Sequence, residues 1–183
     1  MVATEALKND HRIIEKMLNV LEVVSNKIEQ GEEVPVDILK KATDFIRNFA
    51  DSYHHGKEED LLFKTMEEKG FPREGGPIGM MLIEHDEGRG YVRALAEGIE
   101  KYASGDNSAK KTIVENARNY AGLMAPHIQK EDNILYMMAD NIIPEPLQRE
   151  LLNRFDRVEK EKLGDGGRQY YINLADELET AIA

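Results

Sequence analysis

The sequence predicts an all-α protein, an up-down-up-down four-helix bundle followed by two shorter C-terminal helices. Three observations lead there. Apolar residues recur at spacings of three and four over four long stretches, clusters of glycine and proline fall between those stretches, and no segment shows the period-two alternation of a half-buried strand. The clusters lie at Gly31 and Pro35, Gly70 through Pro77, Gly105 to Ser108, and Pro144 to Pro146.

The first helix is expected from about Thr4, as a cap, to Gln30, with Leu7, Ile14, Leu18, Leu21 and Ile28 on one stripe and His11 among them. The second starts near Pro35, stops before Gly70, and presents Leu39, Ile46, Ala50, Leu61 and Thr65 in line, with His54 and Glu58 between. The third opens at Pro77 and carries Ile78, Met81, Val92, Leu95, Ile99 and Tyr102 on a seam that His85 and Gly88 complete. The fourth runs from a cap among Asp106, Asn107 and Ser108 to about Asp140. Its seam reads Ile113, Ala117, Tyr120, Met124, His127, Glu131, Ile134, Met138, and Pro126 predicts a kink or restart just before His127. Residues 146–163 and 168–182 form the two shorter helices, an appendage or a subunit contact in which Tyr170, Tyr171, Ile172 and Leu174 are either a partner surface or ordinary packing. No repeat or linker argues for a second domain, so residues 1–183 are expected to form one, with the bundle over about 4–140.

Composition narrows the chemistry. A net charge of −11, with no basic run, disfavours nucleic acid as a partner. No stretch is apolar enough to span a bilayer and the N-terminus lacks the apolar centre of a signal peptide, so a cytoplasmic location is the default expectation. With no cysteine, thiolate metal sites and iron–sulfur clusters are excluded, and a metal must be held by nitrogen and oxygen.

Each of the four long helices brings one histidine to its inward seam, and two of them add a glutamate one turn later: His54 with Glu58, and His127 with Glu131. Residues four apart share a helical face, so an imidazole and a carboxylate can converge on one ion while a matching pair supplies its neighbour. A lone seam histidine is ordinarily a hydrogen-bonded core residue. Four together with two buried carboxylates and no seam lysine or arginine are a different matter, because unpaired buried carboxylates cost several kcal/mol each. A pair of metal ions supplies the missing charge. His55 lies about 100° round the helix from His54, nearly opposite Ile46, which favours His54 as the ligand and leaves His55 exposed or supporting. The pair His55 with Glu59 is the alternative, and Glu15 and Glu84 are possible extra oxygen ligands.

These residues resemble the hemerythrin-like family, the HHE cation-binding domain, through HHGKEEDLLF (54–63), GPIGMMLIEHDEGRGYV (76–92), HIQKEDNILY (127–136) and, more weakly, NDHRIIEKML (9–18). The resemblance implies a non-haem di-iron bundle with His11, His54, His85 and His127 as terminal ligands and Glu58 and Glu131 bridging. Ferritin-like bundles use Glu-x-x-His instead, with the carboxylate first. Two departures from the oxygen-carrying members stand out: Met81 occupies the place of a further histidine, and Glu131 replaces an aspartate at shorter spacing. The functions implied are binding of dioxygen, nitric oxide or peroxide for sensing, storage or scavenging, turnover of peroxide or nitric oxide by a di-iron oxidoreductase, or a module for iron handling or interaction. Manganese or zinc suits the donor set less well than two irons.

Overall fold

The computed structural model describes residues 2–183, and among them there are six helices and no strand. The helices are α1 (Ala3–Glu29), α2 (residues 36–68), α3 (Pro77–Ala103), α4 (residues 109–142), α5 (Glu145–Lys162) and α6 (Gly167–Ile182). The expected boundaries hold to within a residue or two. Thr4, expected as a cap, sits inside α1, where its hydroxyl donates to Asp140 Oδ1 at 2.8 Å. Gly70 ends α2 in the left-handed region (φ 97°), a conformation that other residues adopt only under strain.

Two departures from α-helical geometry matter most. In α2, residues Ile46–His55 and Glu58–Leu62 are π-helical, and in α4 so are Glu131–Leu135. A π turn bonds residue i to i+5 and accommodates one more residue than an α turn. Pro126, by contrast, lies inside Ala109–Lys130, which continues through it, so the expected restart before His127 does not occur. The irregularity comes at Glu131. Beyond it the buried face moves on by one residue: Leu135 and Ala139 are buried where the sequence seam predicts Ile134, which is 50% exposed, and Met138.

The apolar side chains form two clusters. The larger takes Ile14 to Ile28 of α1, Leu39 to Tyr53 of α2, Val92 to Ile99 of α3 and Ile113 to Ile128 of α4. The smaller takes Ala3 and Leu7, Leu61 to Met66, Ile78 and Met81, and Leu135 to Ile143. Along α1 and α3 the smaller cluster comes first, and along α2 and α4 the larger. Gly88 and Gly98 let α3 lie close to α4, since a Cβ on Gly88 would stand 3.3 Å from Met124 Cε and one on Gly98 3.2 Å from Ile113 Cγ1. The C-terminal helices are no appendage. Tyr171, Leu174, Ala175, Leu178 and Ile182 belong to the larger cluster and Leu151 and Phe155 to the smaller. Tyr171 and Leu174 therefore serve as packing, and of the tyrosine pair only Tyr170 is exposed.

Candidate metal centre

Between the two apolar clusters, His11 falls on α1, His54 and Glu58 on α2, His85 on α3 and Glu131 on α4, with His127 just before Ile128 at the edge of the larger cluster. They form a polar layer with oil on both sides. His11, His54, His85 and His127 are each 1% exposed or less, and Glu58 and Glu131 are fully buried. The structure gathers all six.

His55 joins them. It is buried, and its ring stacks on that of His85 with centroids 3.8 Å apart, so of the two expected places, exposed or supporting, the exposed one does not hold. The reason is the π segment that ends at His55: the wider turn has a smaller angular step, so His54 and His55 both reach the interior. The same geometry places the glutamates. Glu58 and Glu131 each open a π turn, accepting the backbone N–H of Phe63 and Tyr136 five residues on, so Tyr136 lies on the same face as Glu131.

Ligand atoms fall into two groups, each with all members within 4.8 Å of one another: His55, His85 and His127, and His11, His54, Glu58 and Glu131. The groups touch. His127 Nε2 is 3.3 Å from Glu131 Oε2, which is 3.2 Å from His11 Nε2, and His85 Nε2 is 3.6 Å from Glu58 Oε2.

Behind each imidazole stands a carboxylate, and behind each carboxylate a cation. The Nδ1 atoms of His11, His85 and His127 lie 2.7 Å from Asp132, Glu59 and Glu84 respectively. Those of His55 and His54 lie 3.4 Å from Asp51 and 3.6 Å from Asp10. Arg12 pairs with Asp132, Lys130 with Glu84, Arg89 with both Asp51 and Glu59, and Lys57 and Arg168 with Asp10. Lys57 is 1% exposed, so the interior does contain one lysine that the seams do not predict; Asp10 neutralises it. With Nδ1 as the donor, the Nε2 atoms of His11, His55, His85 and His127 present a lone pair to the centre, the arrangement by which proteins orient imidazole ligands; His54 Nδ1 makes no hydrogen bond to Asp10.

Whether this donor set fits cations can be tested on its own atoms. His54 Nε2, Glu58 Oε2 and both carboxylate oxygens of Glu131 are buried without a hydrogen-bond partner, and His85 Nε2 and His127 Nε2 face each other at 3.1 Å. Buried acceptors that confront one another without a donor are costly, and a cation between them removes the cost. Without metal, protons must substitute in part. Burial presses the His11 imidazole down, yet Asp132 and Glu131 outweigh it and raise its pKa to about 9. Burial lowers that of His54 to about 3, and moves His55 and His85 down as well. Burial and the charge of Glu131 push Glu58 well above the usual carboxylate range, whereas Glu131, which burial would also raise, is held well below it by His127 and His11. The residues fit bound metal cations.

Comparison with known proteins agrees. The hemerythrin HHE cation-binding domain profile matches residues 2–139. The chain belongs to this family. Uncharacterized proteins of Mycobacterium tuberculosis and Mycobacterium bovis are each 20% identical to it over 182 residues, covering 100% of the chain and 71% of the relative. No solved structure matches it. The profile ends within α4, so α5 and α6, which bring Arg168 to Asp10, lie outside the matched domain.

The remaining candidates settle into other places. Glu59 and Glu84 buttress His85 and His127 rather than joining either group, and Glu15 pairs with Arg12. In this hemerythrin domain Met81 is buried in the smaller apolar cluster, and the additional imidazole comes from His55 on α2. The signal in the sequence was the adjacent pair His54 and His55; what hid it was the assumption of regular α-helical phase.

Proposed function

We propose that this chain is a non-haem di-iron protein that binds dioxygen or a related small ligand, nitric oxide or peroxide, for sensing, storage or scavenging. One observation carries the reading: five inward imidazoles and two buried glutamates, with Glu58 Oε2 and both Glu131 oxygens left without a hydrogen-bond partner, converge in two adjoining groups. The mixed nitrogen and carboxylate donors suit iron, and the two glutamates between the groups suit a bridged pair. The alternating order of the apolar clusters along α1 to α4 supports an up-down-up-down bundle.

Bound iron would supply Lewis acidity and one-electron redox capacity. The chain's own residues do the rest. The carboxylates behind His11, His85 and His127 hold their Nε2 atoms towards the centre, and the cation paired with each carboxylate keeps it in place. Both apolar clusters exclude water above and below. A cavity of about 190 Å³, bounded by Arg47, Asp51, Arg89 and Arg93 towards solvent and by His55 and His85 within, offers a path for a ligand of a few atoms. An oxidoreductase that turns over peroxide or nitric oxide is the second reading, since the same cavity would serve substrate entry.

The test is an absorption spectrum of protein purified without oxygen and loaded with iron. The expected result is near-ultraviolet charge-transfer bands that shift when oxygen, azide or nitric oxide is added. A chain that takes up iron but whose spectrum ignores all three has no ligand-binding function of this kind. Consumption of peroxide or nitric oxide faster than by free iron would select the enzyme.

A further inference from the structure

The two ligand groups are unequal in imidazoles: one has three and the other two, and the glutamates grouped with the latter also approach His85 and His127, at 3.6 Å from Glu58 and 3.3 Å from Glu131. Facing the poorer group is the phenol of Tyr136, which is fully buried. Its oxygen stands 3.3 Å from His11 Nε2 and donates its hydrogen to Glu58 Oε1, so both of its polar neighbours are ligand atoms of that group. Its ring runs nearly parallel to that of His11, at 11° and 5.5 Å between centroids.

The spacing is informative. Ligands about 2.1 Å from an ion and at right angles to each other are roughly 3 Å apart. Three neighbouring pairs keep close to that separation, 3.2 Å from His11 Nε2 to Glu131 Oε2, 3.3 Å from His127 Nε2 to Glu131 Oε2 and 3.1 Å between the Nε2 atoms of His85 and His127, while His54 Nε2 is 3.6 Å from Glu58 Oε2. The phenol oxygen of Tyr136, 3.3 Å from His11 Nε2, repeats it. A tyrosine buried only for packing would satisfy its hydroxyl anywhere in the core. Here the π turn Glu131–Leu135 carries it to the face of Glu131.

We infer that Tyr136 supplies an additional oxygen ligand to the ion held by His11, His54, Glu58 and Glu131. The inference rests on the di-iron reading above. Ligation replaces the O–H donated to Glu58 by a metal–oxygen bond, and the displaced proton passes to bulk water, as when other protic ligands load. The poorer group thereby gains the donor that makes the two ions more nearly equal in coordination.

The experiment is resonance Raman and visible absorption spectroscopy of the full chain, iron-loaded and oxidised to the ferric state, compared with Tyr136→Phe and with Tyr120→Phe as a control tyrosine of the core. Expected are a broad visible tyrosinate-to-iron band and enhanced tyrosine ring modes, both lost in Tyr136→Phe and kept in Tyr120→Phe. Wild-type protein with iron and azide-sensitive near-ultraviolet bands but no tyrosine modes overturns the ligation alone, as do modes that survive Tyr136→Phe. A chain that takes up no iron overturns this inference and the di-iron reading together. If Tyr136→Phe fails to fold, the wild-type ring modes decide the matter by themselves.

Discussion

The two sides of the metal centre share a construction and differ in what lies behind them. On the side of His55, His85 and His127, two of the imidazoles wall a cavity that reaches solvent, and one half-exposed guanidinium, Arg89, secures both Asp51 and Glu59. On the side of His11 and His54 no imidazole lines a cavity among the described residues: Tyr136 is fully buried, Lys57 lies over the Tyr53 ring at 3.8 Å, and Arg168 pairs with Asp10 from α6, the cavity there being walled by Asp10, Tyr53, Lys57 and Arg168 and not by the ligands. The difference teaches that helices beyond the matched family domain help to build one side of the site and leave the other to α2, α3 and α4.

The largest expected effect comes from removing what the sides share. Glu131 reaches towards His11, His85 and His127, so Glu131→Ala should lose iron from both sides, read as metal per chain after desalting. Retention of both irons would show that the glutamate does not bridge. His55→Ala and His54→Ala should each empty one side, halving the iron, and equal loss of both irons in either variant would erase the distinction between the sides.

Chelation should make stability depend on pH through the histidines kept neutral. His54 has a pKa lowered to about 3, so below the unfolded value of 6.5 the unfolded chain binds the proton and the folded chain does not. That contribution is complete above pH 6.5 and is lost as pH falls towards 3, at about 1.4 kcal/mol per pH unit for one proton. Denaturant melts of the metal-free chain across this window should show it, and His54→Ala should flatten the slope.

A smaller effect tests the side of His11 and His54. Arg168→Ala frees Asp10 from one of its two cations and should weaken iron binding about tenfold by loosening His54. Competition with a chelator would measure it. An unchanged affinity would mean that α6 contributes packing only.

Much of this was legible in the sequence. The six helices follow from apolar spacing and from glycine and proline, and His11, His54, Glu58, His85, His127 and Glu131 follow from seam position, because regular helical phase holds up to the ligand layer in α1, α3 and α4 and the π segment of α2 still turns His54 inward. What was hidden lies at or after π turns: His55 pointing inward, Leu135 and Ala139 replacing Ile134 and Met138, and Tyr136 turned to the site. A period of 3.6 residues cannot predict them, since an inserted residue resets the phase and leaves no signature in composition. The buried Lys57 escaped for another reason: its partner Asp10 is 47 positions away, and only folding brings them together.

The central claim is that cations, and not protons alone, reconcile seven buried nitrogen and oxygen side chains. The direct test is elemental analysis of the anaerobically loaded, desalted chain at neutral pH, set against a thermal melt with and without iron. The account predicts two tightly held irons per chain and a melting temperature that rises on loading. A folded chain that holds none, and melts at the same temperature either way, would contradict it.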